Sequence, residues 1–289
     1  VEDIYFSIVI PLYNKEKSIQ STIQSVLDQS YPNFELIVVN DGSKDQSMKV
    51  VETFSDKRIR IINQTNKGAS KTRNIGIKSA KYKYIVSLDA DDIFLPGALE
   101  EFVYLITNFP LGTVFATTGQ TDRKSIPSGA KRYYVNDYYY SSAILMAKYN
   151  IGLMMTGVVA ISKECFEIYG FYNENIVHGE DIDLWNRLQE RCKIVKSEVV
   201  TMVYRMNAEN RLSNWDERDK IFSSERLLNK NEIQNKSRLL FIGCQLFVYL
   251  YSGYKPKDIS WWEYYGPYKW WILRAAWLYL SVRVLKREL

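Results

Sequence analysis

Two hydrophobic periods take turns along the first half of this chain. Residues 6–10 form a short β-branched run, and residues 16–28 then place Ile19, Ile23, Val26 and Leu27 on one helical stripe. The couplet repeats as a strand over 36–39 with a helix over 45–54, then a strand over 58–62 with a helix over 68–80, before a fourth strand over 84–88. Continuous apolar strands separated by helices predict a parallel sheet covered on both faces. Pro96 suits the first turn of a further helix that directs Leu99, Phe102, Val103 and Ile106 toward the sheet, and residues 112–118 predict another strand.

Beyond that point the rhythm loosens. Residues 121–136 are polar, basic and rich in turn formers, and Tyr138, Tyr139 and Tyr140 open an aromatic stretch, together the pattern of a binding loop or a surface connection. A strand over 156–162 leads into a helix from Lys163, and Gly179 opens an amphipathic helix with Ile182, Trp185 and Leu188 suited to burial. From about Trp215 the pattern is helical alone. An α/β domain over 1–214 and a helical region over 215–289 are the expectation.

A chain of 289 residues can bury a full core. Its net charge of +5 is local, since residues 253–289 carry seven Lys or Arg against three Asp or Glu. That placement argues against a nucleic-acid surface spread over the fold. Cys165, Cys192 and Cys244 are odd in number and widely spaced, neither a disulfide framework nor a zinc motif, and they suit reducing surroundings. The chain opens on Val1, Glu2 and Asp3 without a basic, apolar leader, so a cytoplasmic location is expected.

Candidate chemistry lies where strands end. Asp41 follows one strand, and Asp89, Asp91 and Asp92 follow another, so their carboxylates are expected at one rim of a parallel sheet. A divalent cation could bridge phosphate oxygens there if the protein supplies hard oxygen ligands, and Asp91 is the better ligand. Asp89 could accept from a ribose hydroxyl, Asp92 could coordinate through water or cap the helix after Pro96, and Asp41 could receive a base N–H or hold its own turn. The glycine-rich signatures of dinucleotide and P-loop enzymes are absent, so metal or side chains must neutralise any phosphates.

Lys67, Lys71 and Arg73 surround a helix that starts at Gly68; the lysines could be ordinary solvated surface, and Arg73 could pair with a strand-end aspartate instead of a ligand. Glu180 and Asp181 form the third acidic group. Asp181 could take the proton from an attacking hydroxyl with Glu180 organising the acceptor, or both could serve the first turn of their helix. His178, the single histidine, has no partner for a zinc site and reads as a loop residue or part of an acceptor crevice.

Taken together, Ile10-Pro-Leu-Tyr-Asn14, Val39-Asn-Asp-Gly-Ser43, Asn66-Lys-Gly-Ala-Ser70 with Arg73-Asn-Ile-Gly76, Leu88-Asp-Ala-Asp-Asp92 and Gly179-Glu-Asp-Ile-Asp-Leu-Trp185 resemble the inverting family 2 glycosyltransferases with the A-type nucleotide-sugar fold, over roughly residues 5–210. The resemblance implies a single GT-A, Rossmann-like domain with a mostly parallel mixed sheet and a C-terminal helical extension. It implies Mn2+ or Mg2+ held by Asp91, a nucleotide-diphosphate sugar, UDP-linked by expectation, and Asp181 as general base with Glu180 beside it. Pro11, Tyr13, Asp41, Lys67, Gly68, Arg73, Asp89 and Ala90 would line the nucleotide-sugar pocket. His178, Trp185, Arg205 and Asn207 are further candidate acceptor or phosphate contacts; Asn207 stands where many relatives carry histidine, and the Gln-x-x-Arg-Trp element of processive synthases is absent. Transfer of a hexosyl or N-acetylhexosaminyl unit to a glycan or polyprenyl-linked glycan follows as the expected activity.

Residues 260–289 interleave Trp and Tyr with Lys and Arg, a combination suited to an anionic membrane surface or to burial against a partner, including a second copy of the chain. Arg274 interrupts the apolar run, which argues against a complete span. The competing readings are a metal-dependent nucleotidyltransferase, which would release diphosphate from a triphosphate, and a noncatalytic glycan- or membrane-binding module.

Overall fold

In a computed structural model of the protein, the described residues are 3–149, 153–176, 179–210, 240, 242–244 and 269–283. They divide into two compact units, one of residues 1–134 and 154–213 and the other of 135–153 and 214–289. Residues 135–153, which the sequence pattern placed in the α/β domain, therefore group with residues 214–289.

The first unit begins as expected: β1 (Phe6–Leu12), α1 (Ile19–Leu27), β2 (Phe34–Asp41), α2 (Ser47–Val51), β3 (Ile59–Gln64), α3 (Ala69–Ser79) and β4 (Tyr84–Ser87). It continues with β5 (Ile93–Phe94), α4 (Ala98–Asn108), β6 (Val114–Thr121) and β7 (Arg132–Tyr134), and after the excursion into the second unit resumes as β8 (Val159–Ser162), α6 (Lys163–Tyr169), α7 (Glu180–Gln189) and β9 (Ile194–Tyr204). One sheet orders them β3-β2-β1-β4-β8-β6-β9-β5, with β7 added to β9. Strands β3, β2, β1 and β4 are mutually parallel. β8 runs antiparallel to both β4 and β6, which makes the sheet mixed.

Every position of β2 is buried, as the unbroken apolar run demands of a strand covered on both faces, whereas β3 at the edge leaves Ile61 and Asn63 outside. α3 lies close against β1 because Gly76 has no side chain: a Cβ there would fall 2.2 Å from Val9 Cγ1. The longest strand, β9, was not anticipated. Its run Ile194-Val-Lys-Ser-Glu-Val-Val-Thr-Met-Val-Tyr204 is broken by charged residues, yet Lys196 is buried with its ammonium donating to the Thr117 carbonyl.

The second unit holds α5 (Tyr138–Tyr149), a helix where a binding loop or a surface connection was expected, and α8 (Lys269–Arg283). Ala143, Cys244, Ala275 and Leu278 are buried together, with Ile144 and Leu240 against them. Among the described residues no helix is long and apolar enough to cross a membrane.

Candidate active site

The parallel strands deliver their carboxyl ends to one rim, where the chain must turn and where side chains and amides are free to meet a ligand. Asp41 is the last residue of β2 and is 3% exposed. Its Oδ1 accepts from Gln64 Nε2 at 2.7 Å and the Lys67 amide at 2.8 Å, and its Oδ2 from the Gly68 amide at 3.0 Å. The carboxylate thus serves the approach to α3, whose own N-cap, Gly68 at φ +88°, offers no side chain. Of the two roles open to Asp41, holding a turn is realised, although the turn is the 64–68 loop of the neighbouring strand. A Cβ on Gly68 would meet nothing within 4 Å, and the Lys67 side chain is exposed.

One turn into α3, Arg73 is buried and forks between two elements. Its Nη1 donates to Glu180 Oε1 and its Nη2 to Asp89 Oδ1, each at 2.7 Å, with the guanidinium carbon 5.3 Å from the centroid of the Tyr172 ring. Burial opposes the charge, but Asp89 and Glu180 outweigh it and hold the guanidinium firmly protonated. Pairing with a strand-end aspartate, the rival reading of Arg73, is what the fold builds. It adds a second carboxylate 107 positions away that no local pattern announces.

Glu180 and Asp181 open α7 behind Gly179 within its acidic first turn, as the alternative reading supposed: Glu180 pairs with Arg73, and Asp181 Oδ1 accepts the Ile182 amide, one of the helix's free first-turn donors, at 2.8 Å. The Asp181 carboxyl is pushed up to about 6, first by burial and then by the charge of Glu180. That value suits a group that must collect a proton near neutrality.

The turn after β4 closes with the Asp92 amide on the Asp89 carbonyl at 3.1 Å. Ala90 is buried, and its carbonyl accepts Thr22 Oγ1. Asp91 Oδ2 receives Lys15 Nζ at 2.7 Å; burial pushes the Asp91 carboxyl up, Lys15 pulls it down, and Asp89 adds to the rise. Asp92 is fully buried, its Oδ1 accepting the Arg205 amide at 3.2 Å and its Oδ2 without a partner among the described residues, and burial, Asp89 and Asp91 drive its carboxyl well up. It does not cap the following helix, whose N-cap is Gly97 with no side-chain bond.

Arg205 ties this turn to α1. Its Nε donates to the Asp91 carbonyl, its Nη1 to Ser21 Oγ at 2.8 Å, and its Nη2 to the Ser18 carbonyl at 3.1 Å. Two residues the sequence reading missed complete the tie. Lys15 Nζ also donates to the Glu209 carbonyl at 2.5 Å, and the Glu209 carboxylate accepts the Lys17 amide at 2.9 Å and Ser18 Oγ at 2.6 Å, capping the approach to α1. Asn210 reaches the Tyr13 carbonyl at 2.9 Å, while Pro11 and Tyr13 are half-buried at the end of β1. Asn207 is exposed and accepts from Arg123. Trp185 is 3% exposed and lines a cavity of about 10 Å³, room for a single water and not for a sugar ring. His178 lies outside the described residues.

The acidic rim can be tested against a divalent cation. Asp91 offers hard oxygen donors, one of them paired with the Lys15 ammonium, and Asp92 has an oxygen without a partner among the described residues behind it. No group of three potential ligands gathers among the described residues. This donor set fits a cation that takes most of its shell from phosphate oxygens and water, not a closed structural site.

A mixed, largely parallel sheet that gathers acidic side chains along one rim is the architecture of the GT-A fold. The family model described as Glycosyl transferase family 2 matches residues 7–170, and the chain belongs to that family. An uncharacterized glycosyltransferase of Rickettsia felis is 31% identical over 225 residues, 73% of this chain and 36% of that protein. The UDP-Glc:alpha-D-GlcNAc-diphosphoundecaprenol beta-1,3-glucosyltransferase WfgD of Escherichia coli is 43% identical over 101 residues, 35% of this chain and 40% of its own length. The chain thus spans less than half of these curated relatives. Among solved structures, Staphylococcus aureus TarS 1–349 in complex with UDP-GlcNAc superposes with a TM-score of 0.66 at 19% identity, covering 86% of this chain and 73% of that one.

Proposed function

We propose that this glycosyltransferase moves a hexosyl or N-acetylhexosaminyl group from a UDP-sugar to a hydroxyl of a lipid-linked glycan, with inversion at the anomeric carbon. The observation that carries the reading is Arg73, which joins the strand-end Asp89 to Glu180 and so sets the raised carboxyl of Asp181 beside the donor rim. Asp181 takes the proton of the acceptor hydroxyl as its oxygen attacks, and Glu180 fixes the start of α7 so that the base faces the acceptor. Asp89, one oxygen on Arg73 and the other open, orients the ribose. Asp41 holds the 64–68 loop against the base, with the open face of Gly68 leaving room for close approach.

Asp91 would hold Mn2+ or Mg2+, which supplies charge stabilisation for a departing diphosphate. The acceptor class is supported by the WfgD name, and the UDP donor by that name and the TarS complex. An acceptor anchored in lipid suits a protein resting on an anionic bilayer, for which the aromatic and basic face of α8 is the candidate contact.

The test is a screen of nucleotide sugars against polyprenyl-diphosphate glycans with either metal, reading product mass and anomeric configuration. Folded Asp181→Asn should suppress transfer by at least about 100-fold, and folded Asp91→Asn should weaken metal-supported donor use. Retained activity in both variants, or diphosphate release from a nucleoside triphosphate without sugar transfer, would overturn the proposal.

A further inference from the structure

Two of the three cysteines, 27 positions apart, are neighbours in the fold. Cys165 sits in the first turn of α6, and Cys192 follows α7, its amide bonded to the Leu188 carbonyl at 2.7 Å. Their sulfurs are 3.5 Å apart, with the Cys192 thiol donating to Cys165 Sγ. Cys165 Sγ also lies 3.8 Å from the Thr113 carbonyl. Cys165 is 4% exposed and Cys192 half-buried, so solvent reaches the pair from the Cys192 side. The hydrogen bond from Cys192 lowers the Cys165 thiol against the opposing effect of burial, which concentrates thiolate character on Cys165. Cys244 belongs to the other unit. None of the chemistry assigned above uses these sulfurs.

We propose that Cys165 and Cys192 are an oxidation site, a thiol pair that a hydroperoxide closes into an intramolecular disulfide joining α6 to the end of α7. The Cys165 thiolate attacks the O–O bond of the peroxide, forming a sulfenic acid and expelling the second oxygen, which leaves protonated as water or an alcohol. The Cys192 sulfur then attacks the sulfenic sulfur; the S–S bond forms, and the hydroxyl leaves as water with the Cys192 proton. Two thiols and one hydroperoxide thus give one disulfide, one water and one further water or alcohol. The sulfurs must close from 3.5 Å to about 2 Å as the bond forms. The bond would fasten α7 at the end opposite Glu180 and Asp181, so oxidation reaches the element that carries the candidate base.

The test treats the full chain with equimolar hydrogen peroxide under non-reducing conditions. The expected product is a monomer lighter by about 2 Da, with a Cys165–Cys192 cross-linked peptide on digestion and full reversal by dithiothreitol. Cys244→Ser should behave identically. Cys192→Ser, chosen because its side chain is the less buried, should instead accumulate oxygen adducts on Cys165. Linkage through Cys244, disulfide-bonded dimers, or a pair that remains fully alkylatable by iodoacetamide after peroxide would each overturn the proposal.

Discussion

Arg73 shows how far a single side chain can organise this rim. Its planar fork spans two carboxylates from different elements, a task an ammonium cannot copy because it is one point charge. Arg73→Lys should therefore leave the buried Glu180 without its planar partner and cost about 3 kcal/mol of stability, read as a lower urea midpoint; an unchanged midpoint would remove the bridge from the argument. Asp181 carries the complementary prediction. As a base it works only when ionised, so kcat/KM should climb about tenfold per pH unit below about 6 and level off above it. Its folded-state value is raised, so the stability it contributes is present below its unfolded value and lost as pH rises through about 6. Asp181→Asn should then be more stable than the parent at pH 8, by roughly 2–3 kcal/mol at about 1.4 kcal/mol per pH unit, while losing the acid limb and most of the activity. A variant less stable than the parent at pH 8 would place the carboxylate in a favourable polar setting instead. The carboxylates themselves were legible because Asp after a buried strand is a local pattern. Their partners were not: Lys15 lies 76 positions from Asp91 and Arg205 lies 114 positions from the same residue, and no spacing rule connects residues that only a shared sheet edge brings together.

At the level of elements, the βα repeat was readable wherever both faces of a strand are buried, and it failed where burial is polar. β9 hides Lys196, Ser197 and Thr201, so its run looks like surface although it is the longest strand and pairs with three others. The cysteine pair escaped for a related reason, because α6 and the turn after α7 meet only once β8 and β9 are in place. Gly76 offers a test of the close contact that seats Arg73. A methyl there overlaps Val9 Cγ1, and Val is stiff about χ1, so Gly76→Ala should cost about 1–3 kcal/mol. The double variant with Val9→Ala should recover part of that loss, a subadditive pair in denaturant titrations; strictly additive effects would show that the helix is seated by other contacts.

At the scale of the whole molecule, the boundary visible in the sequence marks where the strand pattern stops, but periodicity cannot say which unit an intervening aromatic helix joins. α5 joins the second unit because Ala143 and Ile144 pack with Ala275 and Leu278 of α8. That packing turns one side of α8 inward and leaves Trp270, Leu273 and Trp277 at 67%, 58% and 56% exposure on the other. The three follow i, i+3, i+7 spacing and so share a face. Lys269 lies 5.8 Å from the Trp270 ring and Arg274 4.6 Å from that of Trp271, so cationic heads flank the aromatic stripe. Indole bodies at the headgroup level with basic residues beside them are the chemistry of an interfacial helix, and each basic residue near an anionic surface contributes about 1 kcal/mol. Replacing Trp270, Leu273 and Trp277 together with serine should lower partitioning onto phosphatidylglycerol vesicles by at least about tenfold, with helix content retained by circular dichroism. Raising the salt should weaken the parent's binding only in part, because the apolar share is not screened. If vesicle binding is unchanged while a dimer of the parent dissociates in sedimentation, the stripe is a protein interface and the membrane assignment fails.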